Sequence, residues 1–230
     1  RPAPPPRTKD LTDTTLASPA RAEGTVFTII LAVSFCHMIN DIMQSLLAAI
    51  YPMLKDGFHL DFWQIGLLTM AFQVTASLLQ PLIGLYTDKR PLPYSLPIGM
   101  SSSLLGLVVL GFAPNYPVLV IGAMMIGLGS AIFHPESSRV ARLASGGRFG
   151  LAQSVFQLGG NFGQSIGPLL AAFIVVPFGQ TSVAWFTILA LIGIVVLWNV
   201  GGWYSAHLRE RVARKAASSM FPDLPKQKII

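Results

Sequence analysis

Gly127-Leu-Gly-Ser-Ala-Ile-Phe-His-Pro-Glu-Ser-Ser-Arg-Val-Ala-Arg142 decides how the rest of this chain is read. The stretch closes a long apolar run, yet it carries His134, Glu136, Arg139 and Arg142. A soluble core does not crowd four ionisable groups in this way. A helix in a bilayer can, where the charges face protein or a water-filled path. There such groups mark function more than stability.

Composition agrees with that setting. Of the 230 residues, 52% are hydrophobic and only 11% charged, against about 25% charged in soluble domains. The sequence therefore reads as an all-α membrane protein with six transmembrane helices, at about 25–50, 64–86, 95–112, 117–143, 151–176 and 183–203. Each run is long enough to cross about 30 Å of hydrocarbon. The net charge of +6 does not point to nucleic acid, because the basic residues lie between apolar runs. Cys36 is the only cysteine and reads as a small apolar helix residue. No signal peptide is visible, and no cofactor or metal is expected.

Residues 1–24 read as a disordered tail, rich in proline and mixed charge. Residues 25–205 form the six-helix domain, and 206–230 a basic linker. Tyr51–Trp63 reads as the first loop. The first helix is interrupted by His37, Asn40, Asp41 and Gln44, a single polar stripe on an apolar rod. Hydrocarbon would leave that stripe unpaired, so it should face protein or water. A carboxylate in low dielectric favours its neutral form, so Asp41 is a candidate proton carrier.

The second helix carries Thr69, Gln73, Ser77, Gln80 and Gly84 at steps of three and four, a packing stripe, with Pro81 as a kink. In the fourth, Pro135 cannot donate to the carbonyl of Ala131, which favours a bend. Glu136 and Arg139 are three apart and can pair. In the fifth, Gly159, Gly163 and Gly167 permit close approach of another backbone. Beside them Gln153, Gln157, Asn161 and Gln164 form an amide stripe that hydrocarbon would not satisfy. The sixth helix is almost free of polar groups.

With six spans both termini lie on one side. Fifteen of the sixteen Lys and Arg fall on that side, and only Lys55 on the other. The positive-inside rule makes the shared side cytoplasmic.

Gly84-Leu-Tyr-Thr-Asp88-Lys89, between the second and third helices, resembles the signature loop of the major facilitator superfamily. Pro91, Leu92 and Pro93 depart from its glycine and basic residues, and Ala123 stands where an arginine is usual. A closer likeness covers residues of about 24–206. His37-Met-Ile-Asn-Asp41, Gln80 through Met100, Phe133 through Arg142 and Gly159-Gly-Asn-Phe-Gly163 look like the fosmidomycin-resistance transporters of bacteria. The resemblance implies a proton-linked efflux transporter of the inner membrane, built from twelve helices in two halves. This chain would be the N-terminal half, with the lipid bilayer, protons, a small-molecule substrate and a C-terminal half as partners.

On that basis Asp41 and His37 are expected to carry the coupling proton. Asn40, Gln44, Gln157 and Asn161 are expected to line the substrate cavity. Gly84, Asp88, Lys89, His134, Glu136 and Arg139 are expected to form a cytoplasmic gate. An intramembrane enzyme using His134 and Glu136 fits poorly. Two residues apart, they lie on different sides of a helix, and no His-Glu-x-x-His pattern is present. A non-transporting six-helix assembly or sensor module is the remaining rival.

Overall fold

The computed structural model describes the backbone of residues 24–220 and the side chains of residues 24–213. The tail expected at residues 1–24, apart from Gly24, and the end of the linker from residue 221 lie outside them. Among the described residues there is no strand. Helices α1 (Phe27–Ala49), α3 (Phe62–Lys89), α5 (Tyr116–Ala144) and α6 (Phe149–Phe178) are each long and apolar enough to span a membrane. So is the stretch Gln180–Ala213, which holds most of α7 (Thr187–Met220). The sixth apolar helix, α4 (Ser95–Gly111), has 17 residues, or about 26 Å at the α-helical rise. The short helix α2 (Tyr51–Phe58) lies between α1 and α3.

Helix α1 is the hub. Of its most apolar window 61% is buried, against 22% in α3 and in α6. It packs against α5, α6 and α7. Its closest neighbour is α6, and the sequence of α6 explains why. A β-carbon on Gly159 would strike the backbone of Ser34, one on Gly163 that of Met38, and one on Gly167 the side chain of Ser45. With only hydrogens there, the helices close until Ser34 Oγ donates to Val155 O at 2.6 Å. A second such seam joins α4 to α5, where Ser102 Oγ donates to Met125 O at 2.8 Å. Gly99 and Gly106 abut Gly129 and Gly122 there.

Two π turns accompany prolines, and only the one near Pro81 was expected from the sequence. Pro81 cannot donate to the carbonyl of Ser77, and α3 absorbs the defect in a π turn at Val74–Leu78. Pro177 does the same in α6, with a π turn at Ala171–Val175. By contrast α5 continues as one α-helix through Pro135.

Three boundaries differ from the sequence reading. The expected first loop contains α2, with Pro52 tolerated in its opening turn and His59 closing it at φ 53°. The next helix starts at Phe62, because Asp61 caps it and Gln64 reaches back to the Asp61 N–H. The chain expected to leave the helix at 206 instead continues α7 to Met220. At 34 residues α7 is about 51 Å long, so it outruns the hydrocarbon.

Candidate functional site

Two polar clusters sit inside the bundle. The inner one is built by α1, α5 and α6 around Asp41, which is buried. Three amides hold its carboxylate. Asn40 Nδ2 and Gln44 Nε2 donate to Oδ1 at 3.3 and 3.2 Å, and Gln164 Nε2 donates to Oδ2 at 3.0 Å. His37, one turn earlier on α1, lies 3.6 Å from Oδ2. His134 of α5 lies 3.4 Å from Oδ1. The two imidazoles meet with their Nε2 atoms 3.3 Å apart.

The outer ring nitrogens show which atoms carry protons. His37 Nδ1 faces the carbonyl of Phe156 at 2.9 Å, and a carbonyl only accepts. Its ring stacks on Phe156, with centroids 4.1 Å apart, and fills the space that Gly160 leaves by having no side chain. His134 Nδ1 faces the carbonyl of Ser130 at 3.0 Å. The Ser130 hydroxyl gives its one proton to Gln44 Oε1 at 3.1 Å. Both Nδ1 atoms are therefore donors. In the neutral rings both Nε2 atoms are then bare acceptors, turned toward each other and toward a carboxylate. Three acceptors converging in a buried space need one added proton, or another cation, among them.

The second cluster lies at the end of α5, beginning with Glu136 about half a turn beyond His134. Arg139 Nη1 donates to Thr87 O at 2.9 Å, and Nη2 to Thr87 Oγ1 at 3.2 Å and Gly84 O at 3.5 Å. The same guanidinium pairs with Asp88 at the end of α3. It also lies 2.8 Å from Glu136 Oε1, although the N–H direction there is not that of a hydrogen bond. Glu136 has no exposed surface, and Ser95 Oγ of α4 donates to its Oε2 at 3.3 Å.

These positions rearrange the sequence-based groups. Asp41 and His37 are together. Asn40 and Gln44 bond Asp41 rather than open space, and Asn40 Oδ1 has no hydrogen-bond partner among the described residues. Gln157 and Asn161 are exposed and do not join them. His134, expected with the gate, belongs instead to the inner cluster. Gly84, Asp88, Glu136 and Arg139 do assemble, whereas Lys89 is exposed and outside the group. Gln164 and Ser130 were missed at the inner site, and Thr87 and Ser95 at the outer one. Gln164 was visible as a member of the amide stripe, and Ser130 lies one helical turn before His134.

The sequence profile of the Major Facilitator Superfamily matches residues 33–227. The chain belongs to the major facilitator superfamily. It is 53% identical over 206 residues to the fosmidomycin resistance protein of Escherichia coli (strain K12), covering 90% of this chain and 50% of that protein. It is 45% identical over 184 residues to an uncharacterized MFS-type transporter of Bacillus subtilis (strain 168), covering 80% and 45%. The chain thus spans about half the length of these curated relatives.

Solved structures share the fold at low identity. A bacterial homologue of the human lysosomal transporter Spinster, inward-facing and unoccupied, superposes with a TM-score of 0.62 at 17% identity, covering 77% of this chain and 43% of that one. A peptide transporter of the POT type in complex with sulfate gives 0.61 at 17% identity, covering 91% and 49%. This superfamily chain is a multi-pass membrane protein of a transporter family, and its relatives are not enzymes.

Proposed function

We propose that this chain is the N-terminal half of a proton-coupled efflux transporter that exports small drug-like or anionic compounds such as fosmidomycin. The observation that carries the reading is the convergence of Asp41, His37 and His134. A proton arriving at the cluster turns one bare Nε2 into a donor toward Asp41 and removes the conflict. Its departure restores the conflict. A site of this kind loads and releases a proton with a change in local packing between α1 and α5.

Roles follow from position. Asp41, His37 and His134 hold the proton. Asn40, Gln44 and Gln164 fix the carboxylate so that it meets both imidazoles. Gln157 and Asn161, exposed on α6, line a wetted cavity shared with a C-terminal half. Arg139 joins Glu136 to Asp88, Thr87 and Gly84 as a latch between α5 and α3. Lys89 stands outside the latch and adds to the basic surface. The lysine and arginine asymmetry favours both ends of this segment lying in the cytoplasm, and the likeness to bacterial transporters supports the inner membrane as its location. Members of such folds hold substrate between repeats and rock the halves around it.

The test is export of fosmidomycin by the full-length protein in proteoliposomes under an imposed proton gradient. Asp41→Asn is expected to abolish gradient-driven export while substrate binding persists. Gradient-driven export at the wild-type rate in that variant would remove Asp41 from the coupling.

A further inference from the structure

We propose that His37, Asp41 and His134 also form a binding site for a divalent first-row transition metal ion of the Zn²⁺ type. The inner cluster supplies two imidazoles and one carboxylate, with ligand atoms all within 4.8 Å of one another. The closest approaches are 3.3 Å between the two Nε2 atoms, 3.4 Å from His134 to Oδ1 and 3.6 Å from His37 to Oδ2. Zinc binds nitrogen and carboxylate oxygen at about 2.0–2.2 Å, so adjacent ligands of a tetrahedral ion lie about 3.3–3.5 Å apart. The two histidine–carboxylate distances run to different oxygens of Asp41, and with one oxygen as ligand the three atoms still lie within 4.8 Å of one another, so a small turn of the carboxylate brings them to three corners of that tetrahedron.

The surroundings agree. Metal-bound histidines hand their second ring N–H to a carbonyl or carboxylate, which fixes the tautomer and aims the lone pair. Here His37 does so to Phe156 O at 2.9 Å and His134 to Ser130 O at 3.0 Å. The carboxylate is likewise held by the amides of Asn40, Gln44 and Gln164. The His37 and Asp41 side chains are 4% and 3% exposed, but His134 is 26% exposed. An ion can thus enter past His134, and its fourth position would point that way, toward water or an anionic group. Two imidazoles and one carboxylate favour zinc, cobalt or nickel over the harder magnesium and calcium, which take mostly oxygen. Metal and proton would compete for the same lone pairs. Binding of the ion nonetheless stands apart from transport, since it needs only this geometry.

Cobalt is the probe, because four-coordinate Co²⁺ has intense visible bands and six-coordinate Co²⁺ has weak ones. The full-length protein in lipid nanodiscs is titrated with Co²⁺, and then with Zn²⁺ to displace it. Wild type is expected to show the intense bands at one ion per protein. His134→Ala is expected to weaken binding at least tenfold and lose them. Replacing the two other histidines of these 230 residues, His59→Ala with His207→Ala, is expected to leave them unchanged. Intense bands that survive in a folded His134→Ala protein would overturn the site, as would only weak six-coordinate absorption in wild type. Should His134→Ala fail to fold, X-ray absorption of the wild-type zinc complex decides. Two imidazoles at the ion support the site, and none or one overturns it.

Discussion

At the scale of single residues, the inner site depends on atoms that are not there. Gly160 faces the His37 imidazole so closely that a β-carbon would occupy the ring's place. Gly66, in the exposed part of α3, has nothing within 4 Å of the same atom. Gly160→Ala is therefore expected to destabilise the bundle by about 1–3 kcal/mol through overpacking and to push His37 off Asp41. Gly66→Ala should be neutral, or stabilising by up to about 1 kcal/mol, because alanine is the better helix former. Thermal unfolding in nanodiscs reads both. Equal melting temperatures for the two variants would mean that the ring is free to move aside.

The same scale shows what the sequence left hidden. The stripe His37, Asn40, Asp41 and Gln44 was legible from its spacing, and its inward direction followed from the cost of polar groups in hydrocarbon. That His134 joins it was not legible. The contact spans 97 residues of sequence, and it depends on where α5 crosses α1. Local spacing tied His134 to Glu136 and Arg139 because they are near neighbours in the chain. A helix turns about 100° per residue, so two residues separate His134 from Glu136 by more than half a turn.

At the scale of elements, α6 shows how a stripe divides. Its buried residues Phe156, Gly160, Gly163 and Gly167 face α1. Gln164 stands about 70° from the centre of that face and Asn161 about 130° from it, by the helical turn. Gln164, itself exposed, thus still reaches Asp41, while Asn161 turns away from it. The stripe was legible, but its division needed the packing direction of α6. Helix α2 was missed because Pro52 and Gly57 read as breakers, although proline is tolerated in a first turn.

Arg139 ties α5 to α3, and its loss can be placed on this scale. Arg139→Gln leaves Glu136, with no exposed surface, as a buried charge without its partner. Breaking a buried pair in this way costs about 3–5 kcal/mol. The double variant Glu136→Gln with Arg139→Gln removes both charges and is expected to recover much of the loss. A double-mutant cycle on thermal stability measures the coupling. Additive effects would mean that the guanidinium is held by Thr87, Gly84 and Asp88 alone.

At the scale of the whole molecule, burial is uneven in a way that bears on assembly. The spans α3 and α6 are the least covered, each with 22% of its apolar window buried. They also carry the exposed polar groups Gln73, Ser77, Gln157 and Asn161. Lipid does not satisfy amides and hydroxyls, so these flanks need water or protein. The relatives, about twice as long, have chain with which to supply it. This pattern, a core closed around α1 beside a polar flank, is the one the proposed N-terminal half of a longer transporter would show.

Orientation is the last property to belong to the whole chain, because it is set by charge summed over every loop. If the sequence makes six spans, fifteen of its sixteen basic residues fall on one side, and each favours the cytoplasm. The turn at Gly146 and Gly147, between α5 and α6, should therefore be cytoplasmic, and Asp61 at the start of α3 should face outward. Cys36 is buried and is the only cysteine of these 230 residues, so Cys36→Ser, with any cysteine of a C-terminal half also replaced by serine, gives a clean background. In that background Asp61→Cys is expected to react with a membrane-impermeant maleimide in intact cells. Gly147→Cys should react only after the membrane is opened. The reverse pattern would invert the topology and put the Arg139 latch on the outer face. Reaction of both sites in intact cells would mean that the segment between them does not cross the bilayer an odd number of times, and the six-span arrangement would have to be abandoned.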